Sequence, residues 1–241
     1  METIIQQTSR SPITNKEYPL PSSSDDKEAI DRFLALHPGK KVVLVQGLGF
    51  VGSVMGLVVA NALTEEYAVI GIDLPATSSF WKICSINEGV FPVLASDPKI
   101  SQYYTNTRRK KNYFATYDPY AYSKADVVIV DINLDVKKQT TQAKEPEDYS
   151  VDMAPFKKAI ESIGNNCKPD VLVLVETTVP PGTTDKVVKP LLEECLAKRN
   201  LSAADLKVGH SYERVMPGPK YVDSIQNFYR VFAGTDDKSA D

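Results

Sequence analysis

Three short stretches of this sequence hold residues whose types and spacing could do chemistry. The first is Gly47-Leu48-Gly49-Phe50-Val51-Gly52, a G-x-G-x-x-G run. It follows the apolar stretch KKVVLVQ and opens a helix-like one, and that context gives the pattern meaning. Gly47 permits a tight turn, Gly49 leaves room for a pyrophosphate against bare backbone, and Gly52 lets the helix lie close to its strand. The unpaired N–H groups and positive end of that helix attract phosphate. The second stretch, Val175 to Thr184, contains Thr177-Thr178-Val179-Pro180-Pro181-Gly182-Thr183-Thr184. Its prolines and glycine force a turn at a strand end, and Thr183 or Thr184 can cap the next helix. Thr178 reads either as a turn residue or as a hydroxyl offered to the crevice at the strand ends. The third is Tyr212-Glu213-Arg214-Val215-Met216-Pro217-Gly218. Glu213 reads equally as a base or sugar ligand and as half of a solvated Glu-Arg pair.

An acid completes the first pattern. Asp73 ends the next apolar run, YAVIGID, about twenty residues past the glycines, where the adenosine ribose of a dinucleotide lies. A carboxylate accepts from a 2′-hydroxyl and repels a 2′-phosphate. Leu74 and Pro75 follow, with no arginine to reverse that preference, so NAD is expected rather than NADP.

The elements that must position these residues are legible as a repeat. Short apolar runs at 125–132, 169–177, 206–211 and, less strongly, 229–234 alternate with helix-like segments at 49–66, 151–163 and 184–197. Fully apolar strands alternating with helices predict an α/β fold, a parallel sheet covered on both faces. Residues 1–24 are polar and carry no apolar period, so they read as a mobile extension. Ser24-Asp25-Asp26 is then expected to cap a short helix carrying Ile30, Phe33 and Leu34.

Composition narrows the partners. The chain has 241 residues, 42% hydrophobic and 24% charged, with net charge −3. That balance suits one globular domain and gives no basic excess for nucleic acid or an anionic membrane. The run Arg108-Arg109-Lys110-Lys111 reads as solvated surface or as contact with an anionic ligand. The three cysteines, Cys84, Cys167 and Cys195, have neither the pairing nor the spacing of a zinc site, so no metal is expected. Reduced thiols, the absence of a signal-like N-terminus and the absence of a long apolar segment point to a cytoplasmic protein without a membrane span.

Taken in order, GLGFVG, Asp73, KICSINEGVFP (82–92), TTVPPGTT and YERVMPG resemble the UDP-glucose/GDP-mannose dehydrogenase family from about Lys41 to Gly234. The E-R-V-x-P-G form is most similar to members that oxidise UDP-N-acetylhexosamines. The resemblance implies a Rossmann-type doubly wound parallel sheet with helices on both faces, spanning residues 40–241 behind an extension at 1–39. It implies NAD contacts from Gly47, Gly49, Phe50, Val51, Gly52, Asp73, Lys82 and Thr178. Thr178 would also help hold a catalytic water, and Glu213 would act in acid–base chemistry. The segment Glu213, Arg214, Val215, Met216 and Pro217 would line the sugar.

The activity so implied is NAD-dependent oxidation of the C6 alcohol of a nucleotide sugar (UDP-glucose, a UDP-N-acetylhexosamine or GDP-mannose) to the uronic acid, for polysaccharide biosynthesis. A homodimer or higher oligomer is implied for the full-length enzyme. The family's cysteine nucleophile, with its lysine and aspartate, belongs to later dimerisation and sugar-binding domains, beyond Asp241. The chain alone is therefore expected to bind NAD without turnover. The sequence also departs from the pattern. Leu134 stands where the family has a threonine that touches NAD, about four residues are inserted around Ser78-Ser79-Phe80, Tyr212 replaces a proline, and Pro217 stands where some members have a second glutamate. Two other readings compete: an NAD-dependent hydroxyacid dehydrogenase, and a non-catalytic NAD-binding module.

Overall fold

The computed structural model describes residues 7–23, 25–139 and 149–241. In chain order, β1 (Thr8–Arg10) and β2 (Glu17–Pro19) form an antiparallel hairpin, followed by α1 (Lys27–Ala35). Next come β3 (Lys41–Gln46), α2 (Phe50–Val59), β4 (Tyr67–Ile72), α3 (Phe80–Glu88), α4 (Pro98–Lys110) and β5 (Tyr113–Thr116). A 3₁₀ turn at Pro119–Lys124 leads to β6 (Val127–Val130) and to a small antiparallel pair, β7 (Val136–Lys138) with β8 (Tyr149–Val151). The rest is α5 (Ala154–Gly164), β9 (Leu172–Val175), a π turn at Thr184–Val188 running into α6 (Lys189–Lys198), β10 (Lys207–His210), α7 (Tyr221–Asn227), β11 (Ala233–Gly234) and α8 (Asp237–Ala240).

Seven strands make one sheet in the order β11-β10-β9-β6-β3-β4-β5, parallel except for β11. Chain order runs outward from β3 in both directions, so the strand sequence reverses between β3 and β6. That reversal is the doubly wound topology, and it opens a crevice at the carboxyl ends of those two strands. The continuous apolar runs are explained by burial on both faces. Leu44, Ile70, Val128 and Val173 lie in one core cluster with α1, α5 and α6, and Val43, Val45 and Ile129 lie in another with α2, α4 and α7.

Four local expectations are corrected. Residues 8–19, read as mobile, are an ordered hairpin. Its loop is built by Ser11, whose Oγ accepts from the Ile13 and Thr14 amides, and by Asn15 in the left-handed region (φ 59°). Asp26 occupies the N-cap position of α1, but its carboxylate does not cap; it accepts from Thr116 Oγ1 at 2.6 Å (Ser24 lies outside the described residues). The helix after the glycines stops at Val59 instead of reaching residue 66, because Asn61 folds back and donates to the Leu57 carbonyl. The last strand is only Ala233–Gly234; Tyr229 to Phe232 are held off the sheet, with Arg230 drawn inward to Glu176.

Candidate functional site

The crevice at the switch point between β3 and β6 is a cavity of about 600 Å³. Its floor is the glycine turn. Gly47 has φ +98°, and a Cβ there would stand 2.3 Å from the Asp131 carbonyl oxygen. A Cβ on Gly52 would stand 1.9 Å from the Gly47 carbonyl, so α2 can approach β3 this closely only with glycine. Gly49 is different: a Cβ there would meet nothing within 4 Å. The space over Gly49 is open, and Gly49 is the N-cap of α2 with no side chain bonded to the first-turn amides. Open space, free backbone N–H groups and the positive end of the helix dipole there are the features that attract a phosphate.

One end of the crevice suits a ribose. Asp73 Oδ2 accepts from the Leu48 amide at 3.0 Å, and Oδ1 accepts from the Leu74 amide at 2.7 Å. These bonds aim the carboxylate and leave lone pairs for two hydroxyls. Lys82 reaches to 3.6 Å from Asp73 Oδ2, with both side chains mostly buried. Although no arginine neighbours Asp73 in sequence, the fold thus supplies it with a lysine.

The other end is acidic. Thr178 is exposed on the crevice wall, beside Thr177. Thr177 is buried; its Oγ1 accepts from the Ile132 amide at 2.9 Å and sits 3.1 Å from the Val130 carbonyl, locking β6 to β9. Glu213 lines the same wall, and its Oε2 accepts from the Val215 amide at 2.6 Å. Asp131 lines the crevice as well, and Glu176 and Arg230 lie close to it. Glu176 is 1% exposed and pairs with Arg230 at 2.5 Å. Burial pushes the Glu176 carboxyl up, and Arg230 opposes the shift. Asp131 Oδ2 is cut off from solvent and, among the described residues, has no hydrogen-bond partner. Burial, then the Glu176 charge, holds the Asp131 carboxyl well above the usual aspartate range, against the pull of Arg230.

The residues singled out from sequence separate into two groups. Gly47, Gly49, Phe50, Val51, Asp73, Lys82, Thr178 and Glu213 line the crevice, and Gly52 lies under it. Arg214, Val215, Met216 and Pro217 are not in its wall. Arg214 lies over the Tyr212 ring, Val215 packs against the α2–α4–α7 cluster, and Met216 and Pro217 face outward. Leu134 does line the crevice, so an alkyl chain occupies the wall where a hydroxyl was looked for.

Sequence reasoning missed four residues of this site. Asp131 lines the crevice, and the Glu176–Arg230 pair lies close to it. Tyr221, 1% exposed, donates to the Phe50 carbonyl at 2.5 Å and steadies the glycine turn from α7. An acid closing the apolar run VVIVD was a visible signal for Asp131; nothing local marked Tyr221. None of the three cysteines has the character of a nucleophile. Burial raises all three thiols, that of Cys84 to about 11, and Cys167 and Cys195 are buried. Among the described residues no cluster of His, Cys, Asp or Glu could hold a metal, and no helix is long and apolar enough to cross a membrane.

Comparison with known proteins agrees with this geometry. Residues 41–241 match the model of the UDP-glucose/GDP-mannose dehydrogenase family, NAD binding domain, which leaves the hairpin outside the match. A UDP-N-acetyl-D-mannosamine dehydrogenase of Pyrococcus horikoshii is 27% identical over 82% of this chain and 42% of its own length. A UDP-N-acetyl-D-glucosamine 6-dehydrogenase of Pseudomonas aeruginosa is 29% identical over 74% of this chain and 36% of its own. The crystal structure of NDP-N-acetyl-D-galactosaminuronic acid dehydrogenase from Methanosarcina mazei superposes with a TM-score of 0.70 at 27% identity, over 87% of this chain and 42% of that one. The chain therefore spans about two fifths of the length of these relatives.

Proposed function

Because the chain belongs to the UDP-glucose/GDP-mannose dehydrogenase family, as its NAD-binding domain, we propose that it is the cofactor-holding part of an enzyme that oxidises the C6 alcohol of a nucleotide sugar to the carboxylate. In that reaction one primary alcohol and one water give a carboxylate, two hydrides reduce two NAD, and three protons are released. NAD supplies the hydride acceptor. The chain's own work is to bind and orient: backbone at Gly49, Phe50 and Val51 toward the pyrophosphate, and Asp73 with Lys82 toward the adenosine ribose.

Thr178 and Glu213, at the opposite end of the crevice, are the residues proposed to face the sugar. Glu213 carries acid–base chemistry and Thr178 holds a water. Arg214, Val215, Met216 and Pro217 are proposed to line the sugar from outside the crevice. The observation that supports this reading best is the arrangement of the crevice itself. An open helix N-terminus stands between a ribose-type carboxylate, Asp73, on one side and a carboxylate wall, Glu213, on the other.

The Pyrococcus horikoshii and Pseudomonas aeruginosa relatives are named as dehydrogenases of UDP-N-acetylhexosamines, and the E-R-V-x-P-G segment favours that substrate class here. The same reading puts the reaction in the cytoplasm, in polysaccharide biosynthesis, with a homodimer or higher oligomer as the working form; family membership is its support. The test is a panel of UDP-N-acetylmannosamine, UDP-N-acetylglucosamine, UDP-glucose and GDP-mannose, assayed for NADH formation with the intact protein. NADH from a UDP-N-acetylhexosamine, strongly reduced by Glu213→Gln, is the expected result. No NADH from any of the four would contradict the proposal.

A further inference from the structure

The hairpin β1–β2 grips α3 at both ends. At the start of α3, Ser79 holds the N-cap position without capping, and Ser9, seventy-odd residues upstream, takes over the task. Ser9 is fully buried; its Oγ accepts from the Trp81 amide at 3.0 Å and donates to the Thr77 carbonyl at 2.7 Å. One hydroxyl thus satisfies an open amide in the first turn of the helix and pins the loop before it. At the other end, Tyr18 donates to Glu88 Oε2 at 2.9 Å and Lys16 pairs with Glu88 Oε1 at 2.6 Å. Between them the Tyr18 ring enters one apolar cluster with Leu48, Phe80, Trp81 and Ile83. Leu48 is the second residue of the glycine turn, so the hairpin, the turn and α3 share a core.

What the hairpin fixes is a wall of the cofactor crevice. The loop from Leu74 to Ser79 holds the insertion relative to the family pattern, and Leu74, Ala76, Ser78 and Ser79 all line the crevice. The loop is closed on itself by Ser79 Oγ donating to the Leu74 carbonyl at 2.6 Å and by Trp81 Nε1 donating to the Ser78 carbonyl at 3.2 Å. It joins Asp73 to α3, which carries Lys82, so the 3.6 Å approach of Lys82 to Asp73 depends on where α3 begins.

We propose that the N-terminal hairpin is part of the cofactor site, with Ser9 a positioning residue that caps α3 in trans and holds the Asp73–Lys82 loop, setting both affinity for the adenosine end of NAD and discrimination against NADP. The inference rests on the crevice being the NAD site. A loop held in one shape keeps the Asp73 carboxylate aimed at a ribose hydroxyl, where it repels a 2′-phosphate; a loop released at Thr77 and Trp81 lets that carboxylate and Lys82 shift.

The test uses the whole chain and its single tryptophan. Ser9→Ala and Tyr18→Phe are titrated with NAD and with NADP by calorimetry, with Trp81 emission and thermal melting recorded alongside. The expected result for Ser9→Ala is NAD binding weaker by about fivefold, the scale of one lost cap. NADP should be affected less, so that the ratio of the two dissociation constants narrows by about threefold, and the Trp81 response to NAD should change. Tyr18→Phe keeps the ring in its cluster and should narrow the ratio in the same direction by less. Unchanged affinities in both variants would overturn the inference. So would equal losses for NAD and NADP, because a general loss of stability leaves their ratio untouched. A wild-type chain that does not bind NAD would overturn the NAD reading of the crevice and this inference with it.

Discussion

Arg230 Nη1 stands 2.5 Å from Glu176 Oε1, joining the last irregular segment of the chain to the end of β9 beneath the crevice. Glu176 is almost fully enclosed, and its charge is compensated by this one guanidinium. Removing the cation leaves a buried carboxylate without its partner, which costs about 3–5 kcal/mol. Arg230→Ala should therefore lower the melting temperature markedly, and Arg230→Ala with Glu176→Gln should recover a large part of the loss. A double variant as unstable as the single one would show that the pair is not the source of the effect.

Asp131 makes stability depend on pH with a definite sign. Its folded carboxyl is raised above the unfolded range by burial first and by Glu176 second. The folded state then holds a proton that the unfolded state releases, so this group's contribution is best at low pH and worsens as pH rises from the ordinary aspartate range through the folded value. Asp131→Asn removes the titration. Its gain in melting temperature over wild type should be small at about pH 4 and larger at about pH 8. A gain that shrinks as pH rises would mean that the carboxyl is stabilised as the anion.

Two glycines of one motif should fail in different ways. Gly49 has φ −73° and open space where a Cβ would stand, so Gly49→Ala should fold with nearly normal stability yet lose NAD binding, because the methyl fills the pyrophosphate's position. Gly52→Ala places a methyl 1.9 Å from the Gly47 carbonyl and should lower stability itself. Melting curves and NAD titrations of both variants separate the cases. Normal NAD affinity in a folded Gly49→Ala protein would remove the pyrophosphate from that space.

The parts of this molecule that could be read from sequence are those whose cause is local. Runs such as VVLV (42–45) and VVIV (127–130) announce doubly covered strands because each residue in them is apolar, and GLGFVG carries its geometry in its own glycines. The hairpin was invisible because its strands are three residues long and mostly polar, and what orders it is the burial of Ser9 and Tyr18 against a helix seventy residues later. The Glu176–Arg230 pair, and its tie to Asp131, was unreadable for the same reason. Asp131, Glu176 and Arg230 gain their meaning from each other, and Arg230 lies in a run, YRVFAG, whose alternation resembles a strand but whose arginine is drawn to Glu176 instead.

NAD in this crevice, with Asp73 reading the adenosine ribose, is the proposal from which the rest follows. Calorimetric titration of the chain with NAD and with NADP tests it most directly. One NAD site per chain is expected, with NADP weaker by about tenfold or more and NAD binding lost in Asp73→Ala, since a 2′-phosphate beside a carboxylate is repelled and two hydroxyl contacts are lost. NADP binding as tightly as NAD, or NAD binding undiminished in Asp73→Ala, would contradict it.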